Sequence, residues 1–115
     1  MSNLSLPANA SLAQIQQYVK DMEEERGFDK TSTLLHIALL LNEEIGELMK
    51  CIRKTDAGMG VDSNKKYDFD TAGEIADIFI VLTAIANRMG VDMEKAFRDK
   101  EEVNKKRIWT RDNKS

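Results

Sequence analysis

Proline and cysteine are almost missing from this sequence, with one of each in 115 residues. With Pro7 the only proline, nearly the whole chain is free of the residue that removes a backbone donor and breaks a helix. A lone Cys51 excludes an intrachain disulfide, and nothing points to an oxidising compartment, so a cytoplasmic location is expected. Long apolar runs are missing as well. The longest, Ile37 to Leu41 and Ile78 to Leu82, fall far short of the roughly 20 residues that span a bilayer, and no basic segment leads into an apolar stretch as in a signal peptide. Nor is there a surplus of positive charge. Seventeen Lys and Arg stand against 20 Asp and Glu, a net charge of −3, which disfavours a protein whose business is coating nucleic acid.

What is present is 42% hydrophobic and 32% charged residues, enough apolar side chain to bury one core and too much for a disordered chain. Leu, Ile, Ala, Met, Glu and Lys dominate, all tolerant of helix, so the expected fold is all-α, a four-helix bundle in a single domain. Residues 1–10 show no periodicity and read as a flexible leader, residues 11–109 as the domain and residues 110–115 as a polar tail. Ser11, with Gln14 completing a capping box, opens a helix in which Leu12, Ile15, Val19 and Met22 repeat at helical spacing to Arg26, where Gly27 stops it. Thr31 or Ser32 caps a long second helix to about Lys54, and residues 56–64 read as a loop. Asp70 or Thr71 caps a third helix ending at Met89 and Gly90, and Asp92 caps a fourth reaching Ile108 or Trp109.

Two of these helices carry the same acidic signature. The second contains Glu43-Glu44-Ile45-Gly46-Glu47-Leu48 and the third Glu74-Ile75-Ala76-Asp77-Ile78. Acids three apart lie about 60° from one another on a helix, one turn apart, so each helix presents a pair of carboxylates. Measured from Glu44 at about 100° per residue, Leu48, Leu41, Ile52, Ile45 and Met49 occupy the sector from about 40° to 140°, and the apolar residues following Glu74 occupy nearly the same one. The acids therefore border both apolar stripes. If the stripes pack together, four carboxylates converge at one rim, with Gly46 and Ala76 allowing a close approach of the backbones.

Four converging anions repel one another unless a positive charge lies among them, and a hard divalent cation bound through oxygen is the simplest remedy. No Cys or His stands at the spacing a zinc site needs, and neither Glu44 nor Glu74 is followed by His three residues on, as a carboxylate di-iron bundle requires.

The run Glu43-Glu44-Ile45-Gly46-Glu47, a spacer from 48 to 73, then Glu74-Ile75-Ala76-Asp77 resembles the signature of the MazG-like nucleoside triphosphate pyrophosphohydrolases, with the likeness extending over about residues 11 to 108. The resemblance implies an all-α fold working as a homodimer or a homotetramer that is a dimer of dimers. It implies Mg²⁺, with Mn²⁺ as a substitute, and a (deoxy)nucleoside triphosphate substrate cleaved to the monophosphate and pyrophosphate, in keeping with house-cleaning of the nucleotide pool. It implies that Glu44, Glu47, Glu74 and Asp77 hold the metal. Glu43, Glu44 and Glu47 form the expected catalytic set, Glu43 orienting a metal ligand or a water.

Other residues suit the substrate. Lys54, at about 280° from Glu44, lies beside Glu47 on the acidic side of its helix, where a cation also suits the helix C-terminus. Lys100, Asn104 and Arg107 line one face of the last helix, and the family often carries Lys and Asn there. Phe28 resembles an aromatic position that packs near the base in some relatives, or else is a staple in the core. His36, in an apolar stretch, is expected in packing or at an interface, and Trp109 as a hydrophobic anchor. Leu35, Ile37, Leu39 and Leu40 make the start of the second helix apolar nearly all round, which calls for a second copy of the chain. The competing readings are a non-catalytic helical interaction module and, less favoured, a nucleic-acid binder: residues 95–115 hold eight Lys or Arg against four Asp or Glu but no aromatic platform.

Overall fold

The computed structural model describes residues 2–55 and 70–110. These form five helices and no strand: α1 (Leu12–Arg26), α2 (Phe28–Thr31), α3 (Leu34–Thr55), α4 (Thr71–Arg88) and α5 (Met93–Lys105). The fold is all-α, with one short helix more than the four expected. The loop read at 56–64 and all of the polar tail but Thr110 lie outside the described residues. No described helix is long and apolar enough to cross a membrane.

Most helix ends follow local side-chain chemistry. The Gln14 N–H donates to Ser11 Oγ and the Ser11 N–H donates to the Gln14 side chain, the two halves of a capping box. Gly27 closes α1 with φ 77°, a left-handed conformation that glycine adopts without penalty. Asp70 accepts from the Gly73 N–H and Asp92 from the Lys95 N–H, starting α4 and α5.

Two boundaries differ from the sequence reading. The Thr31 N–H and hydroxyl both donate to the Gly27 carbonyl, so Thr31 is consumed in the extra turn α2 and cannot cap α3. Thr33 does so instead: its Oγ1 accepts from the His36 N–H, and His36 Nδ1 accepts from the Thr33 N–H. His36 is thus exposed and engaged in capping, not in packing. At the other end α5 stops at Lys105, short of Ile108 and Trp109, which are 92% and 72% exposed and so little covered by the described residues. The Trp109 indole N–H donates to the Asn104 carbonyl, satisfying a helix-end acceptor, so among the described residues Trp109 caps a helix end and does not anchor the core.

The core joins Val19 and Met22 of α1, Ile37 of α3, and Val81 and Ala84 of α4, flanked by Ile15, Tyr18, Leu41 and Ile85. Leu4 of the leader packs on it as well, and Ser2 Oγ donates to the Glu25 carboxylate at 2.9 Å. The main packing is α3 on α4, with α1 against α4 and α5 against α1. Ile37 and Leu40 line a cavity with Ile80, Val81 and Ala84, whereas Glu44 meets Glu74 and Asp77, so α3 and α4 run antiparallel. Fully buried Thr83 donates its hydroxyl to the Phe79 carbonyl, which satisfies the one polar group it buries. Gln16 of α1 grips the α4–α5 connection: its amide nitrogen donates to Asn87 Oδ1 at 3.0 Å and to the Val91 carbonyl at 2.9 Å, and its oxygen accepts from the Met93 N–H.

The α3–α4 seam does not run along the middle of the apolar stripes. On α3 the buried or half-buried residues are Cys51, Glu44, Ile37, Leu48 and Leu41, from about 340° through 0° to 60° measured from Glu44, with half-buried Lys54 of the last turn apart from them at about 280°. Ile52, Ile45 and Met49, from about 80° to 140°, stay exposed. On α4 the same holds, with Val81, Glu74, Ile85 and Ile78 inside and Leu82, Ile75 and Phe79 outside. Both lead acids therefore stand within the seam, not at its border. Half of each stripe is left uncovered, and the radius of gyration is 18.3 Å, where a compact chain of this length has about 13 Å.

Gly46 does not provide the close backbone approach expected of it: a Cβ there would meet nothing within 4 Å. Gly46→Ala should therefore stabilise the protein by about 1 kcal/mol through helix propensity alone. Gly73→Ala should not give this gain, because the added carbon would fall on the Asp70 carboxylate and expel the cap of α4. Urea unfolding of the two variants beside the parent checks the contrast; equal gains would show that the Asp70 cap contributes nothing.

Candidate metal centre

Glu44 is carried by the middle of α3, and Glu74 and Asp77 by the first two turns of α4, where the Asp70 cap fixes the helix start. One carboxylate oxygen from each of the three lies within 4.8 Å of the other two. Glu44 and Glu74 are half-buried and Asp77 is exposed, so the group opens on one side. Glu74 Oε2 is buried with no hydrogen-bond donor among the described residues, an arrangement that is costly for an ionised carboxylate. Desolvation, the closeness of the Glu44 carboxyl, and the charges of Glu44, Glu47 and Asp77 all raise the Glu74 pKa above its ordinary 4.5.

The donor set is all oxygen, one of its oxygens is buried without a partner among the described residues, and the exposed Asp77 leaves the group open to water or substrate. That combination fits a hard divalent cation. Of the four acids expected as ligands, three stand together. Glu47, one turn beyond Glu44 and exposed, is outside the triad, yet near enough for its charge to act on Glu74. Glu43 is exposed.

Beside the triad lies a cavity of about 300 Å³, lined by Asp77 together with Phe28, Met22, Ile37, Ile80 and Val81 among others. Phe28 and a triad acid thus line the same cavity. Sequence reasoning missed Arg26, Glu23 and Ser32 in the same lining; only their place beside Phe28 in the chain hinted at it. Lys54 is half-buried in the last turn of α3. Lys100 and Arg107 are exposed and Asn104 is half-buried with Oδ1 buried and unpartnered among the described residues, and none of the three lines this cavity. The helix of Lys100 and Asn104 packs on α1 and Arg107 lies just past its end, so the structure does not bring them to the acids.

Residues 31–113, well over half of the chain, match the MazG nucleotide pyrophosphohydrolase domain. The chain belongs to the MazG family. No curated protein matches it. The MazG match takes in both acidic motifs and leaves out α1 and Phe28, so the α1 side of the cavity in this MazG chain comes from residues before the matched span.

Proposed function

We propose that the protein hydrolyses (deoxy)nucleoside triphosphates to the monophosphate and pyrophosphate with Mg²⁺, for which Mn²⁺ substitutes, in a cytoplasmic house-cleaning role. The observation that carries this reading is the juxtaposition of the Glu44, Glu74 and Asp77 oxygens with a cavity that Asp77 and Phe28 line together. The cavity takes the base and the triad the phosphate end. Glu44, Glu74 and Asp77 would hold the cation, whose charge would neutralise phosphate oxygens and make a nearby water more acidic. Glu47, beside the triad and free of it, accepts the proton of the attacking water, and Glu43 orients its neighbour. The water oxygen bonds to the α-phosphorus as the bond to the bridging oxygen breaks, and pyrophosphate leaves with that electron pair.

The protein works as a homodimer or a dimer of dimers. The uncovered halves of the α3 and α4 stripes support this, since exposed apolar surface of that extent marks an interaction face.

Reaction with Mg²⁺ in ¹⁸O-water should place the label in the monophosphate. Label in pyrophosphate alone would reject attack at the α-phosphorus. No pyrophosphate from any of a full panel of canonical and modified (d)NTPs would favour a non-catalytic helical interaction module.

A further inference from the structure

Arg88, the last residue of α4, holds three groups from a distant part of the chain. Its Nη2 donates to Glu23 Oε2 at 2.7 Å and to the Phe28 carbonyl at 3.0 Å, and its Nη1 donates to the Ser32 carbonyl. The Glu23 side chain is 9% exposed and that of Arg88 20%, so the carboxylate would be buried unpaired without the guanidinium. The three acceptors sit near the end of α1, at the first residue of α2 and at the residue closing α2. A planar guanidinium fork serves a carboxylate and two carbonyls together, which a lysine ammonium does not reproduce.

The cavities show what this clasp positions. Glu23, Phe28 and Ser32 line the cavity that Asp77 shares, whereas Arg88 lines a larger cleft of about 590 Å³ to which Glu23 also contributes. Glu23 is thus a wall common to both, and Arg88 stands behind it. Because Arg88 and Asp77 belong to one continuous helix, the clasp refers α2 to the same rigid element that carries two of the triad acids.

We infer that Arg88 is a positioning residue for the base pocket: it fastens both ends of α2 to α4 and so sets where Phe28 stands relative to Asp77, without touching substrate. The inference rests on the reading of that cavity as the base site.

Arg88→Lys keeps a charge for Glu23 and gives up the fork to the carbonyls; Glu23→Gln keeps the fork and removes the charge. With a panel of Mg²⁺-bound dNTPs, Arg88→Lys should raise KM about tenfold and flatten the differences between bases, with kcat within about twofold, whereas Glu23→Gln should move KM less. Mn²⁺ affinity measured without nucleotide should stay unchanged in both. Hydrogen exchange needs no turnover: the Thr31 and Ser32 amides should exchange about tenfold faster in Arg88→Lys while the α4 amides keep their parent rates. A fall in kcat with KM and base ranking unchanged, or faster exchange across the whole chain, would reduce Arg88 to a general structural role and overturn the inference. So would a KM in Glu23→Gln raised as much as in Arg88→Lys. If the parent protein neither binds nor hydrolyses any nucleotide, the base-site reading itself falls and the inference with it, whatever the exchange data show.

Discussion

Replacing Glu74 by glutamine should abolish metal-dependent turnover and, in the same protein, raise the melting temperature measured in chelator. Few substitutions at a structural position move function and stability in opposite directions. The reason is that Glu74 stands in the seam between α3 and α4 with one oxygen buried and unpartnered and three other carboxylates acting on it. Without metal that charge is a burden, and an amide of the same shape relieves it. On the proposed reading it is a metal ligand, and since even groups that merely support a ligand cost 10–100-fold in activity, the loss should exceed about 100-fold. The sign of the pH dependence follows from the raised pKa. The folded state binds more protons than the unfolded state just above the ordinary value of 4.5, so metal-free stability falls as pH rises through the folded-state pKa. The gap in melting temperature between Glu74→Gln and the parent should thus be widest near neutral pH and close as pH approaches 4.5. A parent protein more stable than Glu74→Gln in chelator at pH 7 would refute the crowded-anion account.

A double substitution in the uncovered stripe, Met49→Glu with Leu82→Glu, should convert an oligomer into a monomer of 13.0 kDa with its helix content intact and its turnover largely lost. Met49 is 57% and Leu82 44% exposed in the isolated chain, beside Ile45, Ile52, Ile75 and Phe79. Burial of such side chains against a second copy is worth about 1.5–3 kcal/mol each, ample for a stable dimer, and carboxylates at two positions would have to be desolvated without partners. Sedimentation at micromolar concentration together with far-UV circular dichroism reads both outcomes. A parent protein that already sediments at the chain mass would end the oligomer argument, and a variant that remains oligomeric would move the interface elsewhere.

The sequence disclosed the helices well where side-chain caps define them and less well where tertiary contacts do. Ser11, Gly27, Asp70 and Asp92 act where their chemistry places them. The start of α3 was misplaced because Thr31, Ser32 and Thr33 are equivalent as caps on paper, and a turn closed on Gly27 decides among them. Periodicity revealed how wide the apolar arc is, but not which part of it faces the neighbouring helix. Glu44 and Glu74 were therefore placed at the border of the seam and are found within it. The acid triad was legible because its spacing repeats on two helices. The Glu23–Arg88 pair was not: its members are 65 residues apart, and each alone looks like a surface charge.

The grip of Gln16 on the α4–α5 connection has a mechanical consequence. Thirteen residues of α5 make a rod roughly 20 Å long, hinged next to Met93 and Val91, the residues that the glutamine amide holds. Tilting such a rod by about 10° sweeps its far end through roughly 3 Å, the length of a hydrogen bond. Gln16 therefore fixes where α5 leaves α4, and with it the line along which Lys100 and Asn104 lie as α5 packs on α1.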